Sequence, residues 1–215
     1  MSKFDFDLSS LSIQPNKKLE VSPQPKIENH LIRKNKMGYQ VDIPDNPIFE
    51  CSFWNDSACS SKKIESEFFT NYLAEFYELD GYIENGLEKI KLNIDCISKT
   101  EDRKFPSVVR FNDNGNFSNH IKNILNDYLG EDCDNYYGRI VKTTLKTPLG
   151  HNGQMRLISV YSKDATTGKS YLGLLFIDFY HLFIPSSHNG VTAQEMQKRN
   201  YLKNKKYTKC MSSYL

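Results

Sequence analysis

Near its C-terminal end the chain carries Tyr171-Leu-Gly-Leu-Leu-Phe-Ile177, an almost unbroken apolar run. Seven residues are far too few for a membrane span and long enough for one strand. A strand with no polar alternation must have both faces covered. The run is therefore expected at the centre of a sheet, within a strand over 170–185. Two further strands are expected just before it, over about 137–146 and 154–163. Asp164-Ala-Thr-Thr-Gly168 has the length and composition of a hairpin loop joining the last two. Together they make a C-terminal three-stranded antiparallel meander.

Helical spacing supplies the other layer. Ile121, Ile124, Leu125, Tyr128 and Leu129 form the stripe of an amphipathic helix between Ser118 and Gly130. A second such helix is expected from Ser60 or Ser61 to Asp80-Gly81, on Ile64, Phe68, Tyr72 and Phe76 with Phe69, Leu73 and Tyr77 alongside. Ile90, Leu92, Ile94 and Cys96 alternate with polar residues, which predicts a strand, with Ile83 and Leu87 leaving a helical start open. Phe105–Phe111 is another short strand candidate. Thr192 and Glu195 make a capping box, flanked by Val191 and Met196, for a Lys/Arg-rich helix running to about Lys206. The fold class expected is α+β, an antiparallel sheet packed by two amphipathic helices.

The N-terminal stretch 1–47 is rich in Ser, Pro, Asn and Lys, and too poor in apolar residues to offset chain entropy. It reads as an extended, flexible arm, able to dock a protein partner through Phe4, Phe6, Leu8, Leu11 and Ile13 or through 27–32. Residues 48–190 form the α+β domain, with Ile48, Phe49, Phe53 and Trp54 opening it, and 191–215 a basic helix or tail. A hydrophobic share of 39% with 25% charged residues excludes a wholly disordered chain. No window is apolar enough to cross a membrane and no apolar segment follows the start, so a cytoplasmic protein without membrane partners is expected. Five scattered cysteines without CxxC spacing read as free thiols in a reducing compartment.

The net charge of +2 hides an asymmetry. Residues 1–41 carry net +3, 42–134 net −10, and 135–215, with twelve basic and three acidic residues, net +9. A patch of that sign attracts a polyanion such as RNA unless the acidic middle folds against it. Within the basic third, Arg156, His181 and Tyr161 are the chemically suitable set for attack by a ribose 2′-hydroxyl: a cation for the phosphate and groups to move protons. Arg156 shares a strand face with Ile158 and Val160, so a buried carboxylate or carbonyl partner is the other expectation for it. Arg139 and Lys163 are candidate phosphate contacts. So are Lys198, Arg199, Lys203, Lys205 and Lys206, interleaved with Tyr201 and Tyr207, whose rings suit unpaired bases. Lysines there also complement a helix dipole. His151, Asp178, His181 and His188 match no metal-ligand spacing, and no metal or cofactor is expected. Nucleotide loops and serine-hydrolase motifs are absent.

The order of Ile121–Leu129, Met155-Arg-Leu-Ile-Ser-Val-Tyr-Ser-Lys163 and Tyr171–Asp178 resembles the second half of the RelE-type toxin fold. That resemblance implies a small ribonuclease that cuts mRNA, often on the ribosome, and is silenced by a partner antitoxin. Arg156 would match the phosphate-contacting arginine on the family's middle strand. This chain is about twice the family's usual length, and adds the arm, the acidic middle and the basic extension. The reading is an RNA-directed protein, a toxin-like endoribonuclease. The alternative is a non-catalytic interaction factor of a defence, phage or mobile-element system.

Overall fold

The computed structural model describes residues 33–35, 38–40, 47–50, 66–92, 107–109, 115–136, 138–145 and 155–215. Seven strands and three α-helices lie within them: β1 (Arg33–Asn35), β2 (Gly38–Gln40), β3 (Ile48–Glu50), α1 (Gly81–Leu92), β4 (Ser107–Val108), α2 (Ser118–Leu129), β5 (Ile140–Leu145), β6 (Met155–Lys163), β7 (Ser170–Asp178) and α3 (Ala193–Asn204). β1 and β2 pair with each other. Apart from these strands and Pro47, the stretch 1–47 lies outside the described residues, as do Phe53, Trp54, His151, Cys51, Cys59 and Cys96.

The other five strands form one sheet in the order β3-β7-β6-β5-β4. The meander β5-β6-β7 is antiparallel throughout, with Ile140 opposite Val160 and Arg156 opposite Asp178. β7 is an interior strand as expected, because β3 adds to its far edge in parallel register, Phe49 opposite Leu172, and β6 then lies third of five. Both strands are covered on both faces: residues 157–161 and 172–178 are buried without interruption. The hairpin loop closes as its composition predicts. Asp164 Oδ1 accepts the N–H groups of Thr166 (2.7 Å) and Thr167 (2.9 Å), and Gly168 takes the positive φ of +68°.

α2 follows its stripe, burying Ile121, Ile124, Leu125 and Tyr128, and ends at Gly130 with φ +77°. Its N-cap is Phe117, which makes no side-chain cap bond. The Tyr128 ring stacks on Phe176 of β7, centroids 4.5 Å apart. Phe176 faces the same side as its partner Ile158. α1 covers the opposite side, where Gly86 lies against Met155 and Leu145.

The helix expected up to Asp80 is not there. Over the described part, residues 66–80, Phe68 has φ +57°, which no helix tolerates, and Leu73 exchanges both backbone hydrogen bonds with Lys209 (2.9 and 3.1 Å). The segment buries Phe69, Leu73 and Ala74 and leaves Phe76 and Tyr77 in solvent. Pairing with the C-terminus has overridden helical periodicity. Asp80 starts a helix instead of ending one: its carbonyl accepts from Ile83 (2.8 Å) and Glu84 (3.2 Å), opening α1. Ile83, Leu87 and Ile90 form the buried stripe of α1, so residues 90–92 are helical and not part of a strand.

Candidate functional site

β7 ends at Asp178, and the chain turns sharply through His181, whose φ of +57° is a strained value for a residue with a Cβ. Several side chains hold this turn. Asp178 Oδ1 accepts the N–H groups of Leu182 (2.9 Å) and Phe183 (3.3 Å). The Leu182 carbonyl accepts from His120 Nε2 (2.7 Å) and from Gln197 Nε2 (3.2 Å), and the Tyr180 carbonyl accepts from Asn200 Nδ2 (2.9 Å). Gln197 Nε2 also lies 2.9 Å from His120 Nε2, and burial holds the His120 pKa below the ordinary histidine value against the opposing pull of the Leu182 bond and of Asp178.

Arg156 lies beneath the turn with 11% of its side chain exposed, beside Asp178 at 2%. Its Nη1 donates to the Ile184 carbonyl (2.6 Å) and stands 3.7 Å from Asp178 Oδ2, while its Nη2 is 3.0 Å from His181 Nδ1. The carboxylate and carbonyl partners expected for a buried Arg156 are both present, and the same guanidinium also touches His181. Burial lowers its pKa and the Asp178 charge opposes that shift. A guanidinium has donors only, so His181 Nδ1 accepts, and the neutral ring carries its proton on Nε2. Placing a proton on Nδ1 would set two N–H groups face to face. His181 is thus arranged as a hydrogen-bond donor through Nε2. Ser186 Oγ lies 3.4 Å from the same Nδ1.

Tyr161 does not join this pair. Five residues along β6 from Arg156, it is roughly 16 Å away at ~3.3 Å per residue, and its hydroxyl is 3.1 Å from Ser170 Oγ. Arg139 belongs to that far end: its Nε donates to the Tyr161 carbonyl (3.0 Å) and its guanidinium lies over the Tyr136 ring. Lys163 is exposed at the hairpin beyond them. Arg156, His181 and Tyr161 are therefore two separate groups.

α3 begins with the capping box its sequence predicts: Thr192 Oγ1 accepts from Glu195 N (3.3 Å) and Glu195 Oε2 from Thr192 N (3.2 Å). The Thr192 backbone bond holds the Glu195 carboxyl below its usual range. α3 docks through amides, with Gln197 and Asn204 as its buried residues. Sequence reasoning missed Gln197, Asn200, His120 and the anchoring role of Asp178. Gln197, Asn200 and Asn204 do repeat at helical spacing, but a search for apolar stripes passes over a polar one. Lys198, Arg199, Lys203, Lys205 and Lys206 are all exposed. Lys209 pairs with Glu75 (3.3 Å), whereas Lys198, Lys203, Lys205 and Lys206 make no ion pair among the described residues.

His188 sits in a tight turn with Asn189 (φ +50°) and Gly190 (φ +76°), and Ser187–Thr192 line an open recess of about 320 Å³. Among the described residues no group of three His, Cys, Asp or Glu side chains is gathered to hold a metal, no helix is long and apolar enough to cross a membrane, and Cys133 and Cys210 are free thiols. Compared with known proteins, the chain matches no family model, no curated protein and no solved structure.

Proposed function

We propose that this protein binds RNA, with the exposed lysines and arginine of α3 and the residues after it tracking the phosphate backbone. The observation that carries the reading is the position of that charge. Gln197 and Asn200 hold the carbonyls on either side of His181, so the cationic residues Lys198 and Arg199 stand on the same helix that fixes the strained turn. Among the described residues Lys198, Lys203, Lys205 and Lys206 make no ion pair, which supports their availability to a phosphate backbone. A neutral imidazole donating through Nε2 suits a phosphate oxygen. Cutting RNA would require a proton acceptor, and His181 Nδ1 is engaged by Arg156 while Tyr161 lies elsewhere. The reading is therefore of an RNA-binding protein, with toxin-like cleavage as the version a cell experiment would restore.

The test is RNA affinity across a salt series for the wild-type chain and for Lys198→Gln, Lys203→Gln, Lys205→Gln and Lys206→Gln combined. The wild type is expected to weaken steeply with salt, and each lost phosphate contact to reduce the log–log slope by about 0.7 on a single strand. Salt-independent binding, or none, overturns the proposal. Induced expression with total-RNA integrity as readout separates binding from cutting. Intact RNA is expected, and fragmentation abolished by Arg156→Ala with His181→Ala would establish a nuclease.

A further inference from the structure

The large aromatic side chains that the described surface leaves in solvent are gathered in one short turn. Phe76 is 60% and Tyr77 81% exposed, both in the 3-10 turn Phe76–Glu78. The segment leading into the turn is anchored by residues 209–214. Leu73 pairs with Lys209, Glu75 forms an ion pair with the Lys209 ammonium (3.3 Å), and the Tyr214 hydroxyl donates to the Ala74 carbonyl (2.5 Å). The Phe76 ring stacks on Tyr214, interplanar angle 19°. These rings are therefore presented by fixed backbone, and ordering them costs a ligand little conformational entropy.

Charge complementarity selects the occupant. Lys205 and Lys206, both exposed, form the turn that closes α3, four and three residues before Lys209, with the Lys206 ammonium 5.3 Å from the Tyr207 ring centroid. Glu78, the last residue of the turn, and Asp80 beyond it are exposed carboxylates that repel phosphate and leave the lysine side as its path. Aromatic faces beside a cationic track are what unpaired bases and their backbone need. Paired bases cannot reach such rings.

We infer that Phe76, Tyr77 and Tyr214 form a stacking platform for unpaired bases of a single-stranded RNA whose phosphates run along Lys205 and Lys206. This rests on the RNA-binding reading above and names its substrate as single-stranded. The experiment measures affinity of the full chain for an oligouridine strand and for an RNA duplex of equal length at fixed salt. Phe76→Ala with Tyr77→Ala is expected to weaken the single strand about 5- to 100-fold while leaving duplex affinity and the salt slope unchanged. Lys205→Gln with Lys206→Gln is expected to weaken both ligands and lower the slope. Phe76→Ala also removes the ring contact with Tyr214, so the fold control is Tyr77→Ala alone, which should unfold at the wild-type temperature and still weaken the single strand, and Tyr77→Phe should bind as the wild type does. A wild type that binds neither RNA overturns the functional reading itself. Wild-type binding with no change in the aromatic variant, or an equal loss on strand and duplex, overturns the platform alone. Loss of self-association without change in RNA affinity would assign the face to a protein contact and also overturn it.

Discussion

The guanidinium of Arg156 reaches back across the end of the sheet to place Nη2 3.0 Å from Nδ1 of His181, while Nη1 faces Asp178 at 3.7 Å. One side chain thus joins a buried carboxylate to the tautomer of a strained, partly exposed histidine. Arg156 is a positioning residue for His181.

Removing half of the buried pair should cost more than removing its charge altogether. Arg156→Met leaves the Asp178 carboxylate buried without its cation, and a loss of about 3–5 kcal/mol is expected. Asp178→Asn keeps one carbonyl oxygen for Leu182 and Phe183 and removes the charge. The double variant should therefore be more stable than Arg156→Met alone. Urea unfolding of the two single variants and the double closes the cycle; a double variant weaker than Arg156→Met would contradict the pairing.

Acid should destabilise the fold through His120. Its folded pKa is lowered, chiefly by burial, so above about pH 6.5 neither state is protonated and the residue has no pH effect. As pH falls below about 6.5 the unfolded ring takes up a proton that the folded ring resists, and stability declines. The carboxyls of Asp164 and Glu195, held low by backbone N–H groups, act in a separate and more acidic window. Urea midpoints between pH 7.5 and 5.5 should fall for the wild type and stay flatter for His120→Gln.

Gly86 admits a methyl group only if the end of the Met155 side chain moves within the packed core. A Cβ there would come within 2.5 Å of both Sδ and Cε of the buried Met155. Overpacking of this kind costs about 1–3 kcal/mol, against which the helix gains roughly 0.5–1 kcal/mol from losing a glycine. Gly86→Ala is expected to lower the thermal midpoint, and adding Met155→Val, which shortens the obstructing side chain, to recover part of it.

The amides of α3 should protect the His181 turn. Gln197→Ala with Asn200→Ala removes the donors to the Leu182 and Tyr180 carbonyls, worth about 1–3 kcal/mol together. Amide exchange at Leu182 and Phe183 should quicken and RNA affinity fall, although none of the cationic residues has changed. Unchanged exchange would show that the turn is held without α3.

Read without structure, the chain already specified its most local features. Period-two and continuous apolar runs delimit β6 and β7, the stripe from Ile121 to Tyr128 makes α2, and Thr192 with Glu195 starts α3, because each depends on neighbours within a turn or a hairpin. The spacing within 66–80 predicts a helix for the same local reason, yet Leu73 pairs with Lys209, 136 positions away, and the segment around it forms no α-helix. Only the tertiary structure decided that β3 joins β7 in parallel, that Arg156 meets Asp178 and His181, and that Tyr161 does not. The same holds for α3, whose buried stripe is polar and has meaning only against the carbonyls of Tyr180 and Leu182. Hydrogen bonds between distant segments leave no periodicity in a sequence, whereas burial of a helix or strand face does.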